Sequence, residues 1–192
     1  MLHNFKVEVS ARHVHLNKAA VDVLFGNGYE LKNKRNLSQP GQFVCFEKVA
    51  IVGSKNVIKN VSVLGPERDH VQVEVSATDA RTLGVQSVVR ESGDLVNTPG
   101  CELIGPSGSL KLENGVIVAK RHIHASLYDA KNLNLVNGQL VWVKVCSEQR
   151  SLIFGDVVVR VSDSYSLAMH IDTDEANAVS CDDGTVGEVV SF

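Results

Sequence analysis

The sequence predicts a mainly β fold made of two related half-domains, small barrels or a sandwich, with a few short helices. Three observations carry that expectation. Valine-rich segments alternate apolar and polar residues with a period of two. Helical patterns are few and short, which argues against alternating βαβ units. The motif Arg-His-aliphatic-His occurs twice, as "SARHVHL" and "AKRHIHA", with His13 and His122, and likewise His15 and His124, 109 positions apart.

The elements follow in chain order. "FKVEVS" sets Phe5, Val7 and Val9 against Lys6, Glu8 and Ser10, and reads as a strand leading into the first motif. "NKAAVDVLFG" reads as a helix from Asn17 to Gly26. Residues 26–42 are polar and rich in turn formers, a loop or small hairpin insertion. "VQVEV" (71–75) is a strand, and "TDARTLG" a helix capped by Thr78 and ended by Gly84. Residues 91–109 hold prolines and glycines and read as a linker, although Val96, Leu103 and Ile104 favour partial packing. "GSLKLENGVIVAKRH" reads as a hairpin turning at Asn114-Gly115. After the second motif, Ser126 caps a short helix, "QLVWVKV" and "DVVVRVS" are strands, and "TDEANAVS" is a helix starting after Thr173 with carboxylates in its first turn. Two half-domains related by a pseudo-twofold axis would explain the repeat.

On a strand, alternate side chains share a face and lie ~6.5–7 Å apart along the chain. That spacing suits two imidazoles converging on one cation, with Val14 and Ile123 turned into a core. Imidazole favours zinc, and also cobalt, nickel or iron. Two such pairs could close one four-histidine site, or form two incomplete sites with positions open to water or substrate. Further candidates are His170, with Asp172 two residues on, and Glu74 inside "VQVEVS", which is either a solvated strand carboxylate or a buried ligand. Arg68, in the turn after "LGPE", is a loop arginine or an anion holder beside a metal. Arg12 and Arg121, pointing opposite to the motif histidines, would bind an anion or pair with carboxylates. His3 and His70 carry no pattern.

Composition excludes several classes. The chain has 192 residues, 44% apolar and 21% charged, with a net charge of −3, so no basic field invites nucleic acid. No apolar run approaches the ~20 residues needed to span a bilayer, and "MLHNFKVEVSARHVHL" lacks the apolar core of a secretory signal. The four cysteines are widely spaced, which fits reduced thiols and a cytoplasmic location rather than a disulfide framework.

The segments "VEVSARHVHL", "LSQPGQF", "LGPERDHVQVEVSATDARTLG", "VIVAKRHIH" and "MHIDTDEANA" together resemble the PduL-type phosphotransacylases, the phosphate propanoyltransferases. They run from about residue 7 to residue 178. The resemblance implies two β-barrel domains capped by short helices in an interleaved chain, with residues 1–11 plus 120–192 in one barrel and 12–119 in the other. It implies two divalent metal ions, normally zinc, close together at the domain interface. His13, His15 and Glu74 would bind one, His122, His124 and His170 the other, and Arg68 would engage phosphate. The implied reaction transfers an acyl group reversibly between coenzyme A and inorganic phosphate, one metal polarising the carbonyl and the first metal taking the departing sulfur. A metal-dependent thioester or phosphoester hydrolase is the alternative on the same site, and a non-catalytic metal- or CoA-binding module a third. Acyl-CoA and phosphate are the expected partners, with no nucleic acid or membrane, and a homo-oligomer, for preference a dimer, as the assembly. Relatives directed to microcompartments carry an amphipathic N-terminal extension that this sequence does not show, which favours a free cytoplasmic enzyme. Ala125 stands where a longer residue such as Met is expected.

Overall fold

The computed structural model describes residues 4–191. His3 therefore lies outside the described residues. In chain order the first elements are β1 (Phe5–Val9), β2 (His13–His15), α1 (Lys18–Phe25), β3 (Asn33–Asn36), β4 (Phe43–Val52), β5 (Val57–Gly65), β6 (Gln72–Glu74), α2 (Ala77–Leu83) and β7 (Val89–Arg90). Next come β8 (Cys101–Ile104), β9 (Ser109–Leu112), β10 (Val116–Ala119), β11 (His122–Ala125) and α3 (Leu127–Leu133). The chain ends with β12 (Leu140–Cys146), β13 (Leu152–Val161), β14 (Ala168–Ile171), α4 (Thr173–Val179) and β15 (Val186–Val190).

The chain divides into two compact units, one comprising Ala11–Ala119 and the other the chain up to Ser10 together with everything from Lys120 onward. In the second of these, six strands close a barrel in the order β1-β14-β11-β13-β12-β15. Alternation along the strands fills it: Phe5, Val7, Ile123, Val143, Val157, Met169 and Ile171 are all buried in one apolar cluster. Burying a side chain of this size is worth ~1.5–3 kcal/mol. Ala125 belongs to this cluster and is fully buried, so the position lies in the barrel core and not in the donor set.

Unit Ala11–Ala119 holds a nine-stranded curled sheet that stays open, β7-β10-β6-β2-β5-β4-β8-β9 with β3 paired to β4. Its core is built from Val14, Leu16, Leu24, Ile51, Val63, Val73, Leu83 and Leu103. The two units repeat one pattern of pairing. In β1-β14-β11-β13-β12 the successive pairs run parallel, antiparallel, parallel, antiparallel. The series β10-β6-β2-β5-β4 does the same. The strand leading into each motif belongs to the other unit, since β1 precedes β2 and β10 precedes β11.

Several local expectations need correction. The cap of α2 is Ser76 and not Thr78, because Ser76 and Asp79 form a reciprocal capping box. The cap of α4 is Asp172 and not Thr173, for the same reason with Glu175. Asn114-Gly115 does not turn a hairpin: β9 pairs with β8, whereas β10 pairs with β6 and β7. Gly115 does take a left-handed φ of 115°, and its N–H donates to Thr98 Oγ1. Residues 91–109 are packed into the unit rather than linking domains, with Leu103 fully buried. Gly84 ends α2 at φ 74°, a conformation in which a side chain is strained.

Candidate metal centres

Each motif strand lies between a parallel and an antiparallel neighbour, and the antiparallel one brings the third side chain. In β2 and β6 the register sets His13 opposite Glu74. In β11 and β14 it sets His122 opposite His170. Glu74 and His170 thus hold corresponding places in the two units.

The first cluster is tight. His13 Nε2 lies 3.1 Å from His15 Nε2 and 3.4 Å from Glu74 Oε2, and His15 Nε2 lies 3.7 Å from Glu74 Oε1. Donor atoms around a tetrahedral zinc with bonds of ~2.0–2.2 Å stand about 3.3–3.6 Å apart, so the spacing fits one ion. His13 Nδ1 is 2.8 Å from the Ala11 carbonyl. A carbonyl only accepts, so Nδ1 carries a proton, and a neutral ring would turn its Nε2 lone pair to the cluster. Burial works against a charged His13, yet the Glu74 carboxylate outweighs it and raises the proton affinity of the ring. Burial and the neighbouring His13 hold His15 down at about 3, so this imidazole stays neutral, as a ligand must. Among the described residues, His15 Nδ1 finds no hydrogen-bond partner.

The second cluster has three imidazoles, each offering a donor atom within 4.8 Å of the others'. His122 Nδ1 donates to the Lys120 carbonyl at 2.8 Å, repeating the His13 arrangement. His124 is buried and stacked on Tyr165 with ring centroids 4.3 Å apart. Burial, then His122 and His170, push it down to about 2. Its Nδ1 is also without a hydrogen-bond partner among the described residues. His170 Nε2 meets Glu8 Oε2 at 3.1 Å. Both donor sets, two imidazoles with a carboxylate and three imidazoles, suit a divalent cation and leave a coordination position open.

The arginines before the motifs pair with carboxylates. Arg12 Nε donates to Asp79 Oδ2 at 2.9 Å and Arg121 Nη1 to Glu175 Oε1 at 2.7 Å. Both acceptors are the third residue of the helix that follows the third cluster side chain. Asp172 serves as a helix cap, and His70 is exposed.

Arg68 belongs to the first cluster. Its backbone N–H donates to the Leu16 carbonyl at 2.9 Å, its Nη1 to Ser92 Oγ at 3.3 Å, and its charge lowers the proton affinity of His13 and His15. Gly65, just before this turn, is packed by the Phe43 ring, which a Cβ there would enter. Sequence reasoning missed Glu8, Gln72 and Ser92. Gln72 carried a signal, being two residues before Glu74 on the same strand face. Glu8 carried only half of one, because its partner is reached through the parallel β1–β14 register. Ser92, in a loop, carried none.

The family model described as phosphate propanoyltransferase matches residues 6–182. The phosphate propanoyltransferase of Listeria monocytogenes is 51% identical over 185 residues, 96% of this chain and 86% of the relative. That of Enterococcus faecalis is 50% identical, covering 97% of this chain and 88% of its own length. That of Thermotoga maritima is 50% identical, with 97% and 89% covered. With a family model spanning most of the sequence and relatives at half identity along nearly all of it, the chain belongs to the phosphate propanoyltransferase family.

Proposed function

We propose that this chain transfers a short acyl group, acetyl or propanoyl, reversibly between coenzyme A and inorganic phosphate. It does so with zinc held by His13, His15 and Glu74 and a second zinc held by His122, His124 and His170. The observation that carries the reading is the recurrence of one donor geometry on two matching sets of strands, each with an i−2 carbonyl fixing the first histidine's tautomer. When bound, the metals supply Lewis acidity toward the thioester carbonyl and the departing thiolate.

The residues of the chain do the rest. Arg68 offers a planar donor fork to phosphate and holds one phosphate oxygen toward the acyl carbon. That oxygen forms the new C–O bond, the C–S bond breaks, and the electron pair leaves on sulfur, giving acyl phosphate and coenzyme A. No nucleophile from the chain is required. Burial raises the Cys45 and Cys101 thiols to about 12, so they stay protonated and unreactive. The unpaired cysteines fit a cytoplasmic enzyme. Among the described residues no helix is long and apolar enough to cross a membrane.

The test is thiol release from acetyl-, propanoyl- and butanoyl-CoA by zinc-loaded and chelator-stripped protein, with and without phosphate. Release that needs both zinc and phosphate is expected. Release that proceeds equally well without phosphate establishes the hydrolase instead.

A further inference from the structure

Gln72 and Ser92 sit between Glu74 and Arg68, and their hydrogen bonds are all accounted for. Gln72 is buried. Its Oε1 accepts the Gly93 N–H at 2.8 Å, which fixes the orientation of the amide. The two protons on its Nε2 then go to Glu74 Oε1 at 2.6 Å and to Ser92 Oγ at 2.8 Å. Ser92 Oγ also accepts from Arg68 Nη1 at 3.3 Å. With both lone pairs taken, its single proton is directed to Glu74 Oε1, 3.3 Å away. Two donors therefore converge on Oε1, which stands 3.7 Å from His15 Nε2, while Oε2, nearer the cluster, lies 3.4 Å from His13 Nε2.

From this arrangement we propose that Ser92, backed by Gln72, is a positioning residue that couples the metal-binding carboxylate of Glu74 to the phosphate-binding guanidinium of Arg68. The proposal rests on the roles given to those two residues above. The brace fixes the orientation of the Glu74 carboxylate and ties the Arg68 guanidinium to the same hydroxyl. One hydroxyl thereby serves both metal retention and phosphate binding.

The experiment compares wild type, Ser92→Ala and Ser92→Thr. Zinc affinity is measured by competition with a chromophoric chelator, which resolves two bound ions per chain. Ser92→Ala is expected to release one ion about 10–100-fold more readily and keep the other unchanged. Its KM for phosphate is expected to rise about tenfold with the KM for acyl-CoA unmoved. Ser92→Thr, which keeps the hydroxyl, restores both. A merely structural serine would lower the melting temperature and weaken both ions and both substrates alike, and that result overturns the proposal. So does Ser92→Ala with wild-type zinc affinity and phosphate KM. Wild-type protein that holds no zinc, or needs no phosphate, shows a failure of the underlying reading before any variant is compared, and removes the brace with it.

Discussion

The sequence repeats Arg12 and Arg121 in one motif, but the structure gives them unequal weight, and the difference can be measured. Arg121 makes two hydrogen bonds, Nη1 to Glu175 at 2.7 Å and Nε to the Gly155 carbonyl at 2.8 Å. Its guanidinium also lies 5.5 Å from the Phe154 ring centroid. Its side chain is 30% exposed and that of Glu175 only 18%. Among the described residues Arg12 donates one side-chain bond, to Asp79, from a side chain 43% exposed, while Asp79 itself is 8% exposed. Charge-assisted bonds are worth ~1.5–3 kcal/mol each before solvent screening, and an unpaired, mostly buried carboxylate adds its own penalty. Arg121→Ala should therefore cost about 3 kcal/mol. Arg12→Ala loses one bond from a half-exposed side chain and leaves the buried Asp79 with the Ser76 N–H, and should cost about 1–2 kcal/mol, less than Arg121→Ala because no second bond or ring contact goes with it. Trp142, the single tryptophan, lies in β12 of the barrel, so its fluorescence during denaturant unfolding reports the unit that contains Arg121. Far-UV circular dichroism follows the secondary structure of both units, so its difference from the fluorescence transition reports the other. Adding Glu175→Gln to Arg121→Ala should recover part of the loss, since it removes the stranded charge and keeps an acceptor for the Asp172 N–H. Equal costs for the two arginines, or a cost below about 1 kcal/mol for Arg121→Ala, would refute the reasoning.

Three more outcomes are expected. Arg68→Ala should raise the KM for phosphate about 10–100-fold, from loss of a charge-assisted fork, with little change for acyl-CoA; an unchanged phosphate KM in steady-state kinetics removes Arg68 from that role. Glu8→Ala should weaken one of the two zinc ions about 10–100-fold in chelator competition, because His170 loses the carboxylate that orients its ring, and equal retention would count against it. Metal-free protein should lose stability as pH falls below about 6: His15 and His124 have folded values depressed to about 3 and about 2, so their contribution is full above the unfolded value near 6.5 and is lost on acidification. The slope is at most about 1.4 kcal/mol per pH unit for each, read from denaturant midpoints, and His15→Gln and His124→Gln variants with the same acid slope as wild type would sink this account.

What was legible in the sequence was local. Period-two alternation located β1 and β12, and the H-x-H spacing put His13 with His15 and His122 with His124 on shared strand faces. Helix ends were legible to within two residues, and the errors at Thr78 and Thr173 have one cause. A capping residue is chosen by the acid three places on, which selects Ser76 and Asp172. The hairpin at Asn114-Gly115 failed because a turn signal says nothing about which strand the following residues will join. The third donor was illegible from spacing for the same reason. Glu74 reaches His13, and His170 reaches His122, only through register between distant strands. Alternation in "VQVEVS" could not tell a solvated carboxylate from a buried one. The resemblance, by contrast, singled out Glu74 and His170.

The repeat preserves scaffolding more faithfully than it preserves donors. Arg12 and Arg121, the i−2 carbonyls of Ala11 and Lys120, and the acids Asp79 and Glu175 recur with the same partners in both units. Within the donor sets the third member changes charge, a carboxylate at Glu74 and an imidazole at His170. With neutral rings, a divalent cation in the first set leaves a net charge of about +1 and in the second about +2, so the second would polarise a bound oxygen more strongly. Around the first set stand an arginine and the Ser92–Gln72 network, and Glu74 offsets part of that positive charge. The second also has an arginine nearby, Arg160, whose charge lowers the proton affinity of His124, and Glu8, 3.1 Å from His170 Nε2, supplies negative charge from outside the triad. Glu8 occupies the place that Ile117 holds in the other unit, opposite the third donor in each case. Each unit therefore has one carboxylate at this level of the sheet, inside the donor set in one and behind it in the other. Loaded with the same cation, the two donor sets would differ in net charge on one backbone pattern.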